Sequence, residues 1–396
     1  MSEWKECKLG DIVTVKHGWP FKSEFFVDSI ANKPIVVGIG NFNYLGGFRF
    51  SSTKLKYYTG DYPEEYELTP GDILLVMTCQ TEGGEILGIP GIIPEDGKTY
   101  LHNQRLGKVI VTAPNLACNK FLYWLFLTSD FNQHLVNSAS GTKILHTAPS
   151  RIEEFIFLIP PLSEQHAIAS VLSSLDDKIA LLHRQNKTIE TMAETLFRQW
   201  FVEEADEGWE QKSLSSIANF LNGLACQNYP PKNETDKIPV LKIKELSSGI
   251  SKTSDWTTSM VDSKYVVEAG DVIFSWSASL MVKIWDGESC VLNQHLFKVT
   301  SERFPKWFYL EWCKHHLDEF ISISLSHATT MGHIKRSDLD GAMVIVPSDN
   351  QLSEMSHQMA PLLDKQIENS KQIRTLEKLR DTLLPKIMSG EVRIAF

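Results

Sequence analysis

Between residues 163 and about 203 the chain carries no glycine or proline, and apolar side chains recur every three or four positions, the spacing of one helix face. Steps of four and three run through Ile168, Leu172, Leu175, Ile179, Leu182, Asn186, Ile189, Ala193, Leu196 and Trp200, which is a heptad seam. At ~1.5 Å per residue this helix is roughly 60 Å long, more than one small domain can cover, so the pattern calls for a partner helix. The stretch 352–388 supplies one, with the seam Met355, Met359, Leu362, Gln366, Asn369, Ile373, Leu376, Arg380, Leu383 and Ile387, and with Pro385 expected to kink its last turn. One antiparallel register sets Ile168 beside Ile387, Leu172 beside Leu383, Leu182 beside Ile373 and Asn186 beside Asn369. An unpaired Asn in an apolar seam is costly, whereas two facing amides hydrogen-bond and penalise other alignments, so this pair is expected to pin the helix register. The competing reading leaves both at a solvated edge. Gln366 against Ile189 and Arg380 against Leu175 are the imperfect neighbours of this alignment.

The second half of the chain repeats the first weakly. At an offset of 205, Trp4, Leu9, Ile12 and Gly18 fall on Trp209, Leu214, Ile217 and Gly223. Gly71-Asp72-Ile73 then matches Gly270-Asp271-Val272, and Asn103-Gln104 with Lys108-Val109 matches Asn293-Gln294 with Lys298-Val299. The offset drifts, as loop insertions would make it. The Gly-Asp turns lead into apolar runs that read as buried strands. Asn119 is placed to cap a short helix through Leu127, and Pro305 to open its counterpart through Lys314. Near the end of each half, strand-like runs at 155–159 and 342–346 stop at Pro160 and Pro347, and a long helix follows each. The expected fold is α+β: two similar α/β domains joined by two long antiparallel coiled-coil helices, a pseudo-twofold internal repeat. The boundaries predicted are a first domain at 1–160, a first spacer helix at 161–205, a second domain at 206–348, and a second spacer helix with the C-terminal tail at 349–396. That order sets the domains at opposite ends of a rod and brings the chain termini close together.

Composition narrows the class. A chain of 396 residues exceeds one ordinary core, and 42% apolar with 22% charged residues is a globular balance. The longest apolar runs, such as 121–127, fall far short of the ~20 residues of a membrane span. The start Met1-Ser2-Glu3-Trp4-Lys5-Glu6 lacks the apolar core of a secretory signal, so a cytoplasmic location is expected. Six cysteines lie far apart without a Cys-x-x-Cys pair, which argues against a zinc ribbon or redox motif and for reduced, core-filling thiols. No His-Glu-x-x-His, P-loop, nucleophile elbow, Asn/Asp-Pro-Pro-aromatic element or glycine-rich cofactor loop occurs. His315-His316 on a short helix reads as surface rather than as a metal site, so neither a metal nor a cofactor of the chain's own is expected.

Four stretches carry a family resemblance: Trp4-x-x-x-x-Leu9-Gly10-Asp11-Ile12; Ile159-Pro160-Pro161-Leu162-Ser163-Glu164-Gln165; Leu196-Phe197-Arg198-Gln199-Trp200-Phe201; and Leu379-Arg380-Asp381-Thr382-Leu383-Leu384-Pro385-Lys386-Ile387-Met388-Ser389-Gly390-Glu391. In this order and spacing they resemble the specificity subunits of type I restriction–modification systems, over the whole chain. The resemblance implies two target-recognition domains, each reading half of a bipartite double-stranded DNA site in the major groove across an unspecified gap. It implies a non-catalytic subunit that docks two adenine-methyltransferase subunits, and restriction subunits in the full complex, with AdoMet bound by the methyltransferase. The chain departs from the pattern after Pro347, where Ser348-Asp349-Asn350-Gln351 replaces the second proline and the Glu-Gln, which weakens a strict equivalence of the two helix starts. Alternatives are a subunit of a methyltransferase-only or other multisubunit system, a DNA-associated scaffold, or an enzyme with its own site.

A net charge of −10 is awkward for DNA binding, so phosphate contacts are expected from a partner or from local basic loops. Base readout needs donors and acceptors at groove edges. The loop with Thr142, Lys143 and His146 leads to Arg151, and Gly141 permits close backbone approach; the matching loop offers Thr329, Thr330, His333, Lys335 and Arg336. Further candidates are Lys22 in the stretch 16–22, Lys56 and Tyr57, Gln80, and Arg105, with Gln294 and His295 in the second half. Arginine suits guanine and Asn or Gln suits adenine by bidentate geometry. The competing reading makes these ordinary polar connectors. Trp19 and Trp276 read as packing residues, and Phe197 and Phe201 either as partner-docking or as packing against a domain.

Overall fold

The computed structural model describes residues 4–28, 33–50, 54–81, 83–251, 253–326 and 332–394. The chain forms two compact units, one of Met1–Asp177 with Lys378–Phe396, the other of Lys178–Glu377. Both are α+β and both build corresponding sheets, with five strands in one sheet of the first unit where the second has four.

The sheet with the longer strands in the first unit, called the larger sheet below, is four-stranded and antiparallel in the order Val13–His17, Leu106–Val111, Ile73–Val76, Pro90–Ile92. That of the second has Asn219–Asn222, Leu296–Thr300, Val272–Ser275, Met281–Ile284. The runs Ile73–Val76 and Val272–Ser275 are buried along their whole length, which is why they lack the alternation of a half-exposed strand. A sheet of shorter strands in each unit, called the smaller sheet below, joins a parallel pair, Ile35–Val37 with Tyr100–His102 and Ile238–Leu241 with Cys290–Leu292. A two-stranded ribbon pairs Lys5–Lys8 with Ile156–Ile159, and its counterpart pairs Glu210–Ser213 with Met343–Val346.

The repeat extends to single atoms. Asp72 accepts from Thr69 N at 2.8 Å and meets Lys108 at 2.6 Å; Asp271 accepts from Glu268 N at 2.8 Å and meets Lys298 at 2.7 Å. Trp4 Nε1 donates to Glu164 and Trp209 Nε1 to Gln351, both at 3.1 Å. The two helix starts are therefore equivalent despite their different sequences, with Gln351 standing where Glu164 stands. Gly18 and Gly223 cross a neighbouring strand end so closely that a Cβ at Gly18 would lie 2.2 Å from the Asn103 carbonyl oxygen, and one at Gly223 2.3 Å from that of Asn293.

The first long helix spans Leu162–Arg198 and continues into a π-helical turn, Gln199–Glu203; the second spans Asp349–Met388 and runs unbroken through Pro361 and Pro385. In the first unit Ile168 and Leu172 share a core with Leu383, Ile387 and Met388, and Arg380 reaches Asp176 at 2.7 Å. In the second unit Ile179 and Leu182 pack with Ile373 and Leu376. Ascending one helix means descending the other, so they run antiparallel within each unit. Asn369 Nδ2 donates to Asn186 Oδ1 at 2.9 Å, and Asn186 Nδ2 donates to Ser370 Oγ and the Gln366 carbonyl. Asn369 is fully buried, so the solvated-edge alternative does not hold.

One local expectation is corrected, and one open alternative is decided. Asn119 is the first residue of the helix Asn119–Phe126 rather than its cap; Cys118 holds the cap position, and its N–H is taken up by the buried Gln165 side chain. Phe197 and Phe201 are buried in the second unit's core, with ring centroids 5.0 and 5.5 Å from Trp312, and so are not a docking surface.

Gly18→Ala and Gly223→Ala should each destabilise the unit that carries them by on the order of 1–3 kcal/mol, because backbone must move to admit the methyl group; chemical denaturation checks this. Asn186→Leu and Asn369→Leu should each cost about 1–2 kcal/mol by stranding the other amide, while the double variant recovers most of the loss. Additive losses in that double-mutant cycle would show that the pair is not coupled.

Candidate nucleic-acid interface

The end of the larger sheet is built the same way in both units. In the first, His17 lies opposite Gly107 and Val76 opposite Leu106, so three strand ends finish together. The chain beyond Val76 stays in this layer: Met77 N donates to the Arg105 carbonyl, and Thr147 N to the Met77 carbonyl, both at 3.0 Å. Thr78–Cys79 then pairs with Leu145–His146, and Thr78 Oγ1 hydrogen-bonds His146 Nδ1 at 3.1 Å. The loop carrying Thr142 and Lys143 is closed by the bridge between Ser140 and His146; Gly141 turns it at φ 100°, where a Cβ would meet the Ile144 carbonyl at 2.1 Å. Four segments distant in sequence thus bring exposed Gln80, Arg105, Thr142, Lys143 and His146 to one sheet end, with His17 beside the Gln104 carbonyl at 3.4 Å.

In the second unit Asn222 lies opposite Phe297 and Ser275 opposite Leu296. Trp276 N donates to the His295 carbonyl and Ile334 N to the Trp276 carbonyl, repeating Met77 between Arg105 and Thr147. Ser277 bridges His333, as the strand of Thr78 pairs with that of His146. Ser277 Oγ hydrogen-bonds His295 Nδ1 at 3.2 Å, and Gln294 Nε2 lies 3.4 Å from His295 Nε2. Trp276 stacks on Phe297 at 5.7 Å and donates its Nε1 to Asn222 Oδ1 at 3.2 Å. Ala278, next on the chain, holds φ 57°, a left-handed conformation costly for a non-glycine residue, and its N–H is tied to the Gly332 carbonyl. Gln294, His295 and His333 therefore meet at this sheet end. Lys335 is exposed at the start of the helix Arg336–Gly341; Thr329 and Thr330 lie outside the described residues.

The remaining candidates lie elsewhere. Arg151 pairs with Glu154 at 3.1 Å, and the Arg336 guanidinium donates to the Phe220 carbonyl at 3.3 Å. Lys56 and Lys54 both pair with Asp28, and their contacts hold its carboxyl below the usual range; Tyr57 is half-buried in the smaller sheet, and Lys22 is exposed ahead of the turn Ser23–Phe25. Sequence reasoning missed Asn222, Thr78 and the bonding role of Ser277. The repeat held a signal for Asn222, since it precedes Gly223 as His17 precedes Gly18.

Among the described residues no group of three or more His, Cys, Asp or Glu is placed to hold a metal ion, and no helix is long and apolar enough to cross a membrane. His316 is not the surface residue expected: it is buried, bonded to Glu319 and to the Met343 carbonyl.

Residues 1–191 and 206–378 each match the family model of the type I restriction modification DNA specificity domain. The chain belongs to this family. It is 28% identical over 335 residues to the specificity subunit of the type I restriction enzyme MjaIX of Methanocaldococcus jannaschii, covering 78% of this chain and 72% of that one. To the HindI specificity subunit of Haemophilus influenzae it is 21% identical over 482 residues, covering 99% and 100%. Among solved structures, the type I S subunit from M. genitalium shares the fold at a TM-score of 0.61 and 15% identity, over 97% of this chain and 96% of that one. The two matched specificity domains carry the two sheet ends described above.

His102 anchors the first unit's turn 103–105, its Nε2–H donating to the Leu106 carbonyl at 2.9 Å across Asn103, Gln104 and Arg105. Burial pushes its pKa down to about 4, against the pull of that carbonyl. Below the ordinary value of ~6.5 the unfolded chain takes up a proton that the folded chain refuses, so stability is lost as pH falls from about 6.5 towards 4 and levels off beneath. The contribution is at most about 3 kcal/mol. His102→Gln, which keeps a donor for the carbonyl, should flatten this part of the slope in denaturation midpoints measured from pH 7 to 4.5; an unchanged slope would assign it to other groups.

Proposed function

We propose that this specificity chain reads a bipartite DNA site in the major groove, each half contacted by one of the two sheet ends, and performs no chemistry itself. The observation that carries this is the repeated convergence of exposed or half-buried donors and acceptors at the same end of the equivalent sheet in both units. Gln80, Arg105, Thr142, Lys143 and His146 serve the first half-site, and Asn222, Gln294, His295 and His333 the second. Recognition domains at 1–160 and 206–348 are separated by spacer helices at 161–205 and 349–396, and the Asn186–Asn369 pair fixes the register that sets the gap. Half-site centres roughly one helical turn apart, ~34–36 Å, fit such a spacer.

With a net charge of −10, the chain leaves much of the phosphate neutralisation to its partners. Two adenine-methyltransferase subunits, which bind the AdoMet, and restriction subunits in the full complex fill that role in the cytoplasm.

The test is selection from a random double-stranded DNA pool by the chain together with its methyltransferase. A two-part motif with a fixed gap is expected. Salt-sensitive binding without a motif would leave a scaffold, and saturable AdoMet binding by the isolated chain would favour an enzyme. Removing one heptad from each long helix, ~10 Å of rod, should change the gap and leave the half-site letters alone.

A further inference from the structure

Asn222 is one of the polar residues at the second unit's sheet end, and its amide is oriented by a neighbour that can act in one way only. An indole N–H donates and never accepts, so the atom of Asn222 that faces Trp276 Nε1 at 3.2 Å must be the carbonyl oxygen. The ambiguity of an exposed amide, which elsewhere turns over freely, is thereby removed. Its Nδ2, with two hydrogens, faces away from the indole, and no hydrogen bond among the described residues uses it. Trp276 is itself held: it stacks on Phe297 with an interplanar angle of 28°, and its backbone is bonded on one side to the His295 carbonyl and on the other to Ile334 N. The first unit has no such lock. Met77 takes the place of Trp276 there, between Arg105 and Thr147, and His17 takes the place of Asn222.

In the major groove guanine offers O6 and N7, adenine N7 and thymine O4 as acceptors, whereas cytosine offers only its N4 donor. A donor fixed outward meets an acceptor on three of these bases and another donor on the fourth. We propose that Asn222 is a specificity-determining residue of the second recognition domain, held donor-outward by Trp276 so that it rejects cytosine on the contacted strand at one position of a single half-site. This rests on the reading of the sheet ends as DNA-contacting faces.

The experiment is the same random-pool selection, with the full chain and its methyltransferase, on wild type, Asn222→Asp, Trp276→Phe and Arg105→Ala. Asn222→Asp is nearly isosteric and still accepts from the indole, but it turns an acceptor outward. It should enrich cytosine about tenfold or more at one position where the wild type depletes it, leaving the gap and the other half-site unchanged. Trp276→Phe keeps the stack on Phe297 and frees the amide to turn over, so that same position should relax to all four bases. Arg105→Ala belongs to the first domain and should alter only the other half-site, which identifies the two halves. Wild-type letters with both Asn222→Asp and Trp276→Phe would overturn the proposal, as would changes spread over both halves. So would an Asn222→Asp complex that binds no DNA beside a Trp276→Phe complex with unaltered letters. A wild type that yields no two-part motif overturns instead the reading on which the proposal rests.

Discussion

The two sheet ends depend on a crossing of two backbones too close to admit a side chain. Trp19 N donates to the His102 carbonyl and Gln104 N to the Trp19 carbonyl; Leu224 N donates to the Leu292 carbonyl and Gln294 N to the Leu224 carbonyl. These bonds require Gly18 and Gly223 to lie against the neighbouring strand end, where any Cβ would overlap a carbonyl. The crossing ties the end of the larger sheet to a strand of the smaller one. The turn that follows, 103–105 in one unit and 293–295 in the other, is thereby held by main-chain bonds, helped by its first side chain, with Asn103 Oδ1 accepting from Arg105 N at 3.0 Å and Asn293 Oδ1 from His295 N at 3.4 Å. Its last residue differs, Arg105 in one unit and His295 in the other, without disturbing the frame. A protein whose task is to read varied sequences on a constant scaffold needs that separation.

The two long helices start on equivalent geometry but different chemistry. Both long helices begin under a tryptophan from the start of a domain. At the second helix Gln351 accepts from Trp209, and the chain runs continuously into that tryptophan. At the first helix the equivalent Trp4 is near the N-terminus, and the acceptor is Glu164, 1% exposed. A buried carboxylate is tolerated only when its oxygens are satisfied. Here Arg393 from the C-terminal tail donates Nε and Nη2 at 2.6 and 2.8 Å, and its guanidinium lies 5.2 Å from the Trp4 ring.

How far the sequence disclosed this depended on whether a feature is periodic or made by distant pairing. The helix pair was legible down to its register, because a heptad seam with a single Asn on each strand admits few alignments, and Asn186 meets Asn369 as that pattern requires. The duplication was legible from Gly18 and Gly223, Asp72 and Asp271, because each such residue performs a backbone task that another residue cannot. Side-chain partnerships were not legible. Arg336 and Arg151 look like DNA ligands as letters, yet one guanidinium turns back to a sheet carbonyl and the other to Glu154. His315-His316 reads as surface because paired polar residues on a helix usually are, but His316 finds a carboxylate and a carbonyl that only the fold brings near. Asn222 was overlooked because its one signal in the sequence is its place before Gly223, matching His17 before Gly18; its interest comes from a tryptophan fifty-four positions along the chain.

The seam also shows that stability was not the only quantity selected. Asn369 is fully buried, and while its Nδ2 donates to Asn186, its Oδ1 finds no partner among the described residues. Burying an amide oxygen in that state costs on the order of 1–3 kcal/mol against an apolar residue of similar size, and Leu at both positions would remove the cost. Such a seam would also lose the feature that distinguishes one alignment from another slid by a heptad, since Leu against Leu is nearly as good in either. For a helix pair that only had to hold two domains, the slip would be harmless. For one that sets the distance between two reading faces, a slip of seven residues moves them by ~10 Å, about three base pairs, and a bipartite site would no longer be matched. On the proposed function, the buried polar pair is therefore the less stable and more useful solution.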